Sequence, residues 1–214
     1  MKTFQKRTVK PKNILDELKL GWATKYDYDK LRKYHYINTK TPHNLTDIFG
    51  LFDPKLSRCL GVVAYTHPKI IFGARSKTEI GKYLDAIPKT GDKMRFINAN
   101  IRYISRFILH PSIRGIGASK KLIQESRKKL KVRWIEAGGR MTYYYNFNGY
   151  GSIFSTKIER FNSIDNMYQD SSMGAKSGTT EHINDCMIKY SYELYRNDDV
   201  PVKTIRQIMA ERHR

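Results

Sequence analysis

The segment best suited to hold an anion in this 214-residue chain is Arg114-Gly115-Ile116-Gly117-Ala118-Ser119, which runs straight into a lysine-rich stretch beginning at Lys120. Two glycines one residue apart let the backbone approach a ligand closely and take conformations that other residues avoid. The first amides of the helix that follows lack intrahelical acceptors, and the helix dipole adds its attraction for negative charge. The chemistry this turn serves is the gripping of a diphosphate. A dinucleotide fold is disfavoured, because Gly115-Ile116-Gly117 lacks the third glycine of that fingerprint and the strand precedes it by too many residues. A Walker loop is excluded by the absence of its Gly-Lys-Ser/Thr ending.

Charge supplies the second chemical signal. Forty Lys and Arg against 20 Asp and Glu leave a formal +20, and 15 tyrosines are interleaved with the cations, as in Lys25-Tyr26-Asp27-Tyr28 and Lys33-Tyr34-His35-Tyr36. Phosphate backbones are the commonest partner for such an imbalance, and aromatic rings beside cations suit base stacking next to phosphate contacts. No Lys-rich amphipathic helix with an aromatic apolar face points to a membrane surface instead. The phosphate contacts are assigned to the arm Lys2 to Lys12 and to a terminal helix carrying Lys203, Arg206, Arg212 and Arg214. Two cysteines, Cys59 and Cys186, are too few for a disulfide scaffold and lack zinc-site spacing, so no metal is expected. With no membrane-length apolar run and no secretory pattern in Met1 to Lys12, a cytoplasmic protein is expected.

The elements that must position these residues read as follows. Asn13 caps a helix through Ile14, Leu15, Leu18 and Leu20, and a second helical stretch covers Tyr28 to Tyr36. Ile48 to Phe52 and Cys59 to Tyr65 form an antiparallel hairpin turning at Asp53-Pro54-Lys55. Pro68 to Asn98 reads as an insertion over a sheet face, with a short helix at Thr78 to Ala86. Ile101 to Leu109 is a strand rich in β-branched and aromatic residues, ending at His110-Pro111. The cradle helix buries Leu122, Ile123 and Leu130, and Val132 to Ala137 is a strand that Gly138-Gly139 breaks. Arg140 to Tyr150 is helix or turn, Ile153 to Phe161 and Met187 to Leu194 are strands, and Asn162 to Asn184 is a loop. Pro201 to Arg214 is the last helix. The pattern predicts an α+β fold with a mixed, mostly antiparallel sheet in a single domain: arm and helices over 1–45, core over 46–195 and terminal helix over 196–214.

The strand Phe107-Ile108-Leu109-His110-Pro111, the turn with Arg114 and Gly117, and the Trp134-Ile135-Glu136-Ala137 strand followed by Tyr143 to Gly151 resemble the GNAT superfamily of acetyl-CoA-dependent N-acyltransferases. Ser119 stands where the family pattern ends in a small Gly or Ala. The resemblance covers about residues 46 to 160. It implies that backbone groups of Phe107, Ile108 and Leu109 pair with the pantetheine arm of acetyl-CoA. It also implies that the amides of Arg114, Gly115, Ile116, Gly117, Ala118 and Ser119 hold the pyrophosphate. The thioester would sit in the splay between two parallel central strands. A tyrosine in the following helix protonates the leaving thiolate in this family, which points to Tyr144 among Tyr143, Tyr144 and Tyr145.

A narrower resemblance, carried by Tyr34-His35-Tyr36, the Arg106-bearing strand and Ser119, is to the Mom-like DNA-modifying proteins of bacteriophages. It implies that Arg106 and Ser119 bind or polarise the acyl donor, and that His35 serves near the acceptor as base or metal ligand. The acceptor would be the exocyclic amine of adenine in double-stranded DNA, flipped out and stacked on Tyr34, Tyr36 and Tyr143 to Tyr145. In that case the compartment is the host cytoplasm. Two alternatives stand beside it: the same cofactor with a protein or small-molecule amine as acceptor, and a non-catalytic nucleic-acid-binding protein.

Overall fold

The computed structural model describes residues 14–35, 41–42, 44–69, 72–139, 147–161 and 187–211. Its first half is built by local chemistry. One helical turn, α1 (Ile14–Glu17), leads into the edge strand β1 (Lys19–Trp22), and α2 (Lys25–Leu31) follows. Thr24 and Asp27 start α2 reciprocally: the Asp27 amide donates to Thr24 Oγ1 at 3.2 Å, and the Thr24 amide donates to Asp27 Oδ2 at 2.8 Å. A 3-10 turn, Arg32–Tyr34, ends this segment. The strands β2 (Leu45–Asp53) and β3 (Arg58–Thr66) form the expected hairpin.

The insertion holds α3 (Glu79–Asp85), capped by Thr78 Oγ1, and also α4 (Thr90–Asn100). The chain then enters β4 (Ile101–Leu109), the glycine turn, α5 (Ala118–Lys129) and β5 (Trp134–Gly139). It closes with β6 (Phe154–Phe161), β7 (Met187–Arg196) and α6 (Ile205–Glu211). Among the described residues the sheet has seven strands in the order β1-β2-β3-β4-β5-β7-β6. Only the β4–β5 pair is parallel. The fold is therefore the expected α+β, with a mostly antiparallel sheet. No described helix is long and apolar enough to cross a membrane.

Alternation along the strands divides the core. On one face α5 and α1 cover Phe49, Leu51, Val63, Ile135, Ala137 and Tyr195. Burying a side chain such as Leu122 of α5 contributes about 2 kcal/mol. On the other face α2 covers Ile48, Val62, Ala64 and Ile108, while the insertion and α6 cover Trp134, Tyr192 and Leu194.

Among the differences from the sequence reading, five have a clear physical cause. The first helix stops at Glu17, because Leu20 pairs with Leu51 of β2 and so satisfies a period of two as well as one of 3.6. The second helix begins at Lys25 rather than Tyr28, since Thr24 is the cap. The helix α4 went unrecognised because Phe96 and Ile97 are its only buried apolar residues and Gly91 and its asparagines are poor helix formers. Gly138 and Gly139 extend β5 rather than break it, pairing with Tyr192 and Ser191. A Cβ at Gly138 would meet Phe72 Cζ at 3.1 Å and the Ser191 carbonyl oxygen at 3.2 Å, so close packing is what demands glycine there. The last helix starts at Ile205 instead of Pro201, where Gln207 Oε1 accepts from the Thr204 amide at 2.8 Å.

Candidate active site

The site begins where two parallel strands part. β4 and β5 pair from Ile101↔Trp134 as far as Ile104↔Ala137. Beyond that point β4 continues beside β3 to Leu109, while Gly138 and Gly139 follow β7. The parting coincides with a bulge: Ala64 and Tyr65 of β3 face Arg106 and Ile104, so Ser105 is an extra residue. Its hydroxyl donates to the Ala64 carbonyl at 3.1 Å. Bulges bend a strand and re-aim its side chains, and this one starts the divergence that leaves one side of Ser105 to Leu109 without a β5 neighbour.

At the open end of β4 the chain turns through Pro111–Ile113 into the glycines. Gly115 and Gly117 have φ of +79° and +89°, the left-handed region that favours glycine. A Cβ at Gly115 would meet nothing within 4 Å. Gly117 is the N-cap of α5 and has no side chain to cap it. Among the described residues no acceptor of the chain meets the amides of Gly115, Ile116, Gly117, Ala118 or Ser119. This exposed turn is therefore an outward-facing set of donors at the positive end of a twelve-residue helix.

Side chains around the turn hold it in place. Arg114 donates from Nε to the Leu109 carbonyl at 3.2 Å and from Nη2 to the Tyr34 carbonyl at 3.0 Å, tying the cradle to β4 and to the end of the early helical segment. The Tyr34 ring lies edge-on to His110 with centroids 4.8 Å apart. His110 Nδ1 accepts from the Ser112 amide at 3.2 Å. Burial and the positive charges of Arg58, Lys33 and Arg114 push the His110 pKa below its ordinary value, so the ground beside the cradle is cationic. The Ser119 hydroxyl pairs with the Tyr150 hydroxyl at 2.7 Å, and Tyr150 packs on the core beneath α5.

Arg106 follows the bulge on the α2 face. It donates to the Ser105 carbonyl at 2.7 Å and hydrogen-bonds the buried Tyr28 hydroxyl. Burial raises the Tyr28 pKa and Arg106 opposes that shift. His35 closes the 3-10 turn, its amide donating to the Arg32 carbonyl at 3.0 Å. The structure thus brings Arg106, Phe107 to Leu109, Arg114 to Ser119 and Tyr34 into one region, with His35 next in the chain. Tyr36, Tyr143, Tyr144, Tyr145, Arg212 and Arg214 lie outside the described residues.

Lys203 and Arg206 belong to a different surface. They lie in and just before α6, which packs on the sheet face opposite α5, and Lys203 Nζ is paired with Glu211 at 2.9 Å. On that same face the insertion closes the flank of β5 through a buried ion pair. Arg75 Nε and Nη2 donate to Glu136 Oε1 and Oε2 at 2.6 and 2.7 Å, and the Tyr192 hydroxyl donates to Oε1 at 2.7 Å. The Tyr103 hydroxyl donates to the Gly138 carbonyl at 2.6 Å, bracing the parting strands. Sequence reasoning missed Tyr150, the Arg75 pair and the bulge. The first had a signal in the Gly149-Tyr150-Gly151 turn, whereas the others depend on contacts distant along the chain.

Comparison with family models yields no match, and no curated protein matches the sequence. Solved structures do match. The GNAT superfamily phosphinothricin acetyltransferase of Sinorhizobium meliloti, determined in complex with acetyl-CoA, is 12% identical over 88% of this chain and 92% of its own, with a TM-score of 0.50. The ribosomal-protein-S5-alanine acetyltransferase of Vibrio fischeri is 12% identical over 88% and 96%, with a TM-score of 0.47. A GNAT family acetyltransferase of Elizabethkingia anophelis with acetyl-CoA bound is 11% identical over 85% and 99%, with a TM-score of 0.44. The fold is that of the GNAT acetyltransferases, on the strength of the first of these.

Proposed function

We propose that this protein is an acetyl-CoA-dependent N-acyltransferase whose cradle is the Arg114 to Ser119 turn. The observation that carries the reading is the set of amides at the left-handed Gly115 and Gly117 that meet no acceptor among the described residues, in the turn that follows β4 after it has parted from β5. The residues fit the cofactor: the amides suit its diphosphate, and the side of Phe107 and Ile108 that has no strand partner among the described residues suits the amide groups of a pantetheine arm, the Leu109 carbonyl being taken by Arg114 Nε. Bound acetyl-CoA supplies an activated acyl group as a thioester.

The chain's own residues do the rest by position. Leu109 and Tyr34 hold Arg114, so the cradle is preformed. The Ser119–Tyr150 pair joins the first turn of α5 to the segment after β5. Orientation of two reactants in a splay lowers the barrier by removing translational freedom. Tyr144 is the proton donor to the departing sulfur in this reading, while Arg106 and His35 act beside the acceptor. Release of free coenzyme A thiol across a panel of amines tests it. Thiol release that requires both acetyl-CoA and an amine supports it, and a protein that neither binds nor consumes acetyl-CoA contradicts it.

An amine on a protein or small molecule is the acceptor class closest to the named activities of the structural neighbours. A second reading places the amine on DNA, at the exocyclic nitrogen of adenine, and is favoured by the +20 charge, which opposes a cationic acceptor. Mass spectrometry of nucleosides from DNA of expressing cells separates the two. An acylated or acyl-derived adenine supports DNA, and unmodified nucleosides beside an active enzyme return the acceptor to the first class.

A further inference from the structure

The excess of cations is spread unevenly over the described surface. In several places carboxylates neutralise them: Lys55 meets Glu17 at 2.7 Å, Arg196 meets Glu79 at 3.1 Å and Asp198 at 2.7 Å, and Lys203 meets Glu211 at 2.9 Å. Around α5 that balance fails. Ala118 to Lys131 hold six Lys or Arg and one carboxylate, Glu125. Glu125 is turned to Lys121 at 3.7 Å, and the Lys121 ammonium also donates to the Leu15 carbonyl at 3.0 Å.

A groove of about 420 Å³ lies where the last turns of α5 pass the edge strand β1. Lys19 and Leu20 of β1 line one wall, and Glu125, Lys128 and Lys129 of α5 line the other. The three lysines are exposed, and among the described residues none of them has an ion-pair partner. Cations in the last turn of a helix commonly serve its free carbonyls. Here Asn197 Nδ2 does so, donating to the carbonyls of Arg127 at 2.9 Å and Val132 at 3.0 Å, and the Lys128 and Lys129 ammonium groups take no part. Three like charges around one concavity focus a positive potential there, and an anion between the walls relieves their repulsion.

We propose that this groove docks the phosphate backbone of duplex DNA through Lys19, Lys128 and Lys129. An acidic protein would need an apolar centre to its interface, and Leu20 is the one apolar side chain in the lining. A nucleic acid backbone needs ammonium groups alone, since its affinity comes from counterion release. In purpose the groove rests on the DNA-acceptor reading, and α5 connects the two. Its first residue, Ala118, follows the cradle glycine and its last, Lys129, lines the groove, roughly 16 Å away along the axis. A duplex lying in the groove is anchored to the helix that positions the acyl donor.

The test measures the anisotropy of a dye-labelled duplex of about 20 base pairs bound to the full chain as salt is raised. Lys19→Gln, Lys128→Gln and Lys129→Gln each weaken binding at low salt and flatten the logarithmic salt slope by about 0.9. Arginine at the same positions keeps the slope, and Lys55→Gln, which removes a cation already paired with Glu17, leaves it unchanged. Circular dichroism and acetyl-CoA affinity stay the same in every variant. Wild-type affinity and slope in the Lys19→Gln/Lys128→Gln/Lys129→Gln variant, or no duplex binding at low salt, overturns the docking site. Polyglutamate that displaces the duplex at equal charge also overturns it and assigns the groove to an acidic protein. Binding with the expected slope by a protein that leaves adenine unmodified keeps the groove and overturns the DNA-acceptor reading. Adenine modified at the wild-type rate by the triple variant keeps that reading and overturns the groove.

Discussion

Replacing Arg75 by Met isolates the buried pair that ties the insertion to the core. Arg75 is 2% exposed and Glu136 0% exposed, and their two hydrogen bonds are joined by one from the Tyr192 hydroxyl and one from Arg75 Nη2 to the Lys69 carbonyl at 2.9 Å. Methionine fills most of the arginine stem, so the packing loss is small and the main effect is a carboxylate left in the core with no countercharge. Breaking a buried pair in this way costs about 3 to 5 kcal/mol, a large part of a typical domain stability of about 5 to 15 kcal/mol. With a urea slope of about 3 kcal/mol per molar, the unfolding midpoint falls by about 1 to 1.7 M. Urea melts followed by circular dichroism measure it. The companion variant Arg75→Met/Glu136→Leu recovers most of the loss, because no charge is then stranded. A single variant that loses less than about 1 kcal/mol, or a double variant no better than the single, would refute the argument that Glu136 is cut off from water.

Other outcomes follow from the same structure. Burial raises the Cys59 thiol to about 12, its Sγ donating to the Gly61 carbonyl, so native protein at about pH 8 exposes no more than the other cysteine to a disulfide reagent and both react only after denaturation. His67 and His110 have lowered pKa values, from burial first and then from neighbouring cations, so the unfolded chain binds protons more readily than the folded one. Their contribution to stability is present above about pH 6.5 and is lost as pH falls below it; melts between about pH 7.5 and 5.5 show the decline, and the His67→Gln/His110→Gln variant flattens it. Deleting the chain from Lys203 onward removes α6 and the Asn100–Lys203 hydrogen bonds at 2.7 and 2.9 Å, so the melting temperature drops; Arg206→Gln, which changes an exposed charge alone, leaves it within about 1 °C.

The hairpin, β4 and α5 were legible because each is long, strongly patterned and bounded by Gly, Pro or a charge change, as at Asp53-Pro54 and His110-Pro111. The glycine turn was legible for the same reason, because Gly115 and Gly117 announce backbone conformation directly. Other features depend on tertiary partners that local sequence does not reveal. Leu18 and Leu20 fit helix and strand alike until β2 is there to pair. Gly138 reads as a breaker until Phe72 and Ser191 fill the space its side chain would need. Nothing near Glu136 in sequence foretells Arg75, sixty-one residues away. Equally, Lys25-Tyr26-Asp27-Tyr28 looks uniform along the chain, and only helical geometry turns Tyr26 outward and Tyr28 inward.

Isothermal titration calorimetry of acetyl-CoA against the wild type, Gly117→Asn and Gly117→Asp tests the central claim most directly. Asparagine tolerates the left-handed backbone and adds no charge, whereas aspartate tolerates it similarly and sets a carboxylate beside the diphosphate. The cradle predicts saturable one-to-one binding by the wild type, weakened binding by Gly117→Asn and none by Gly117→Asp. Binding of equal strength in all three, or none in the wild type, would contradict it.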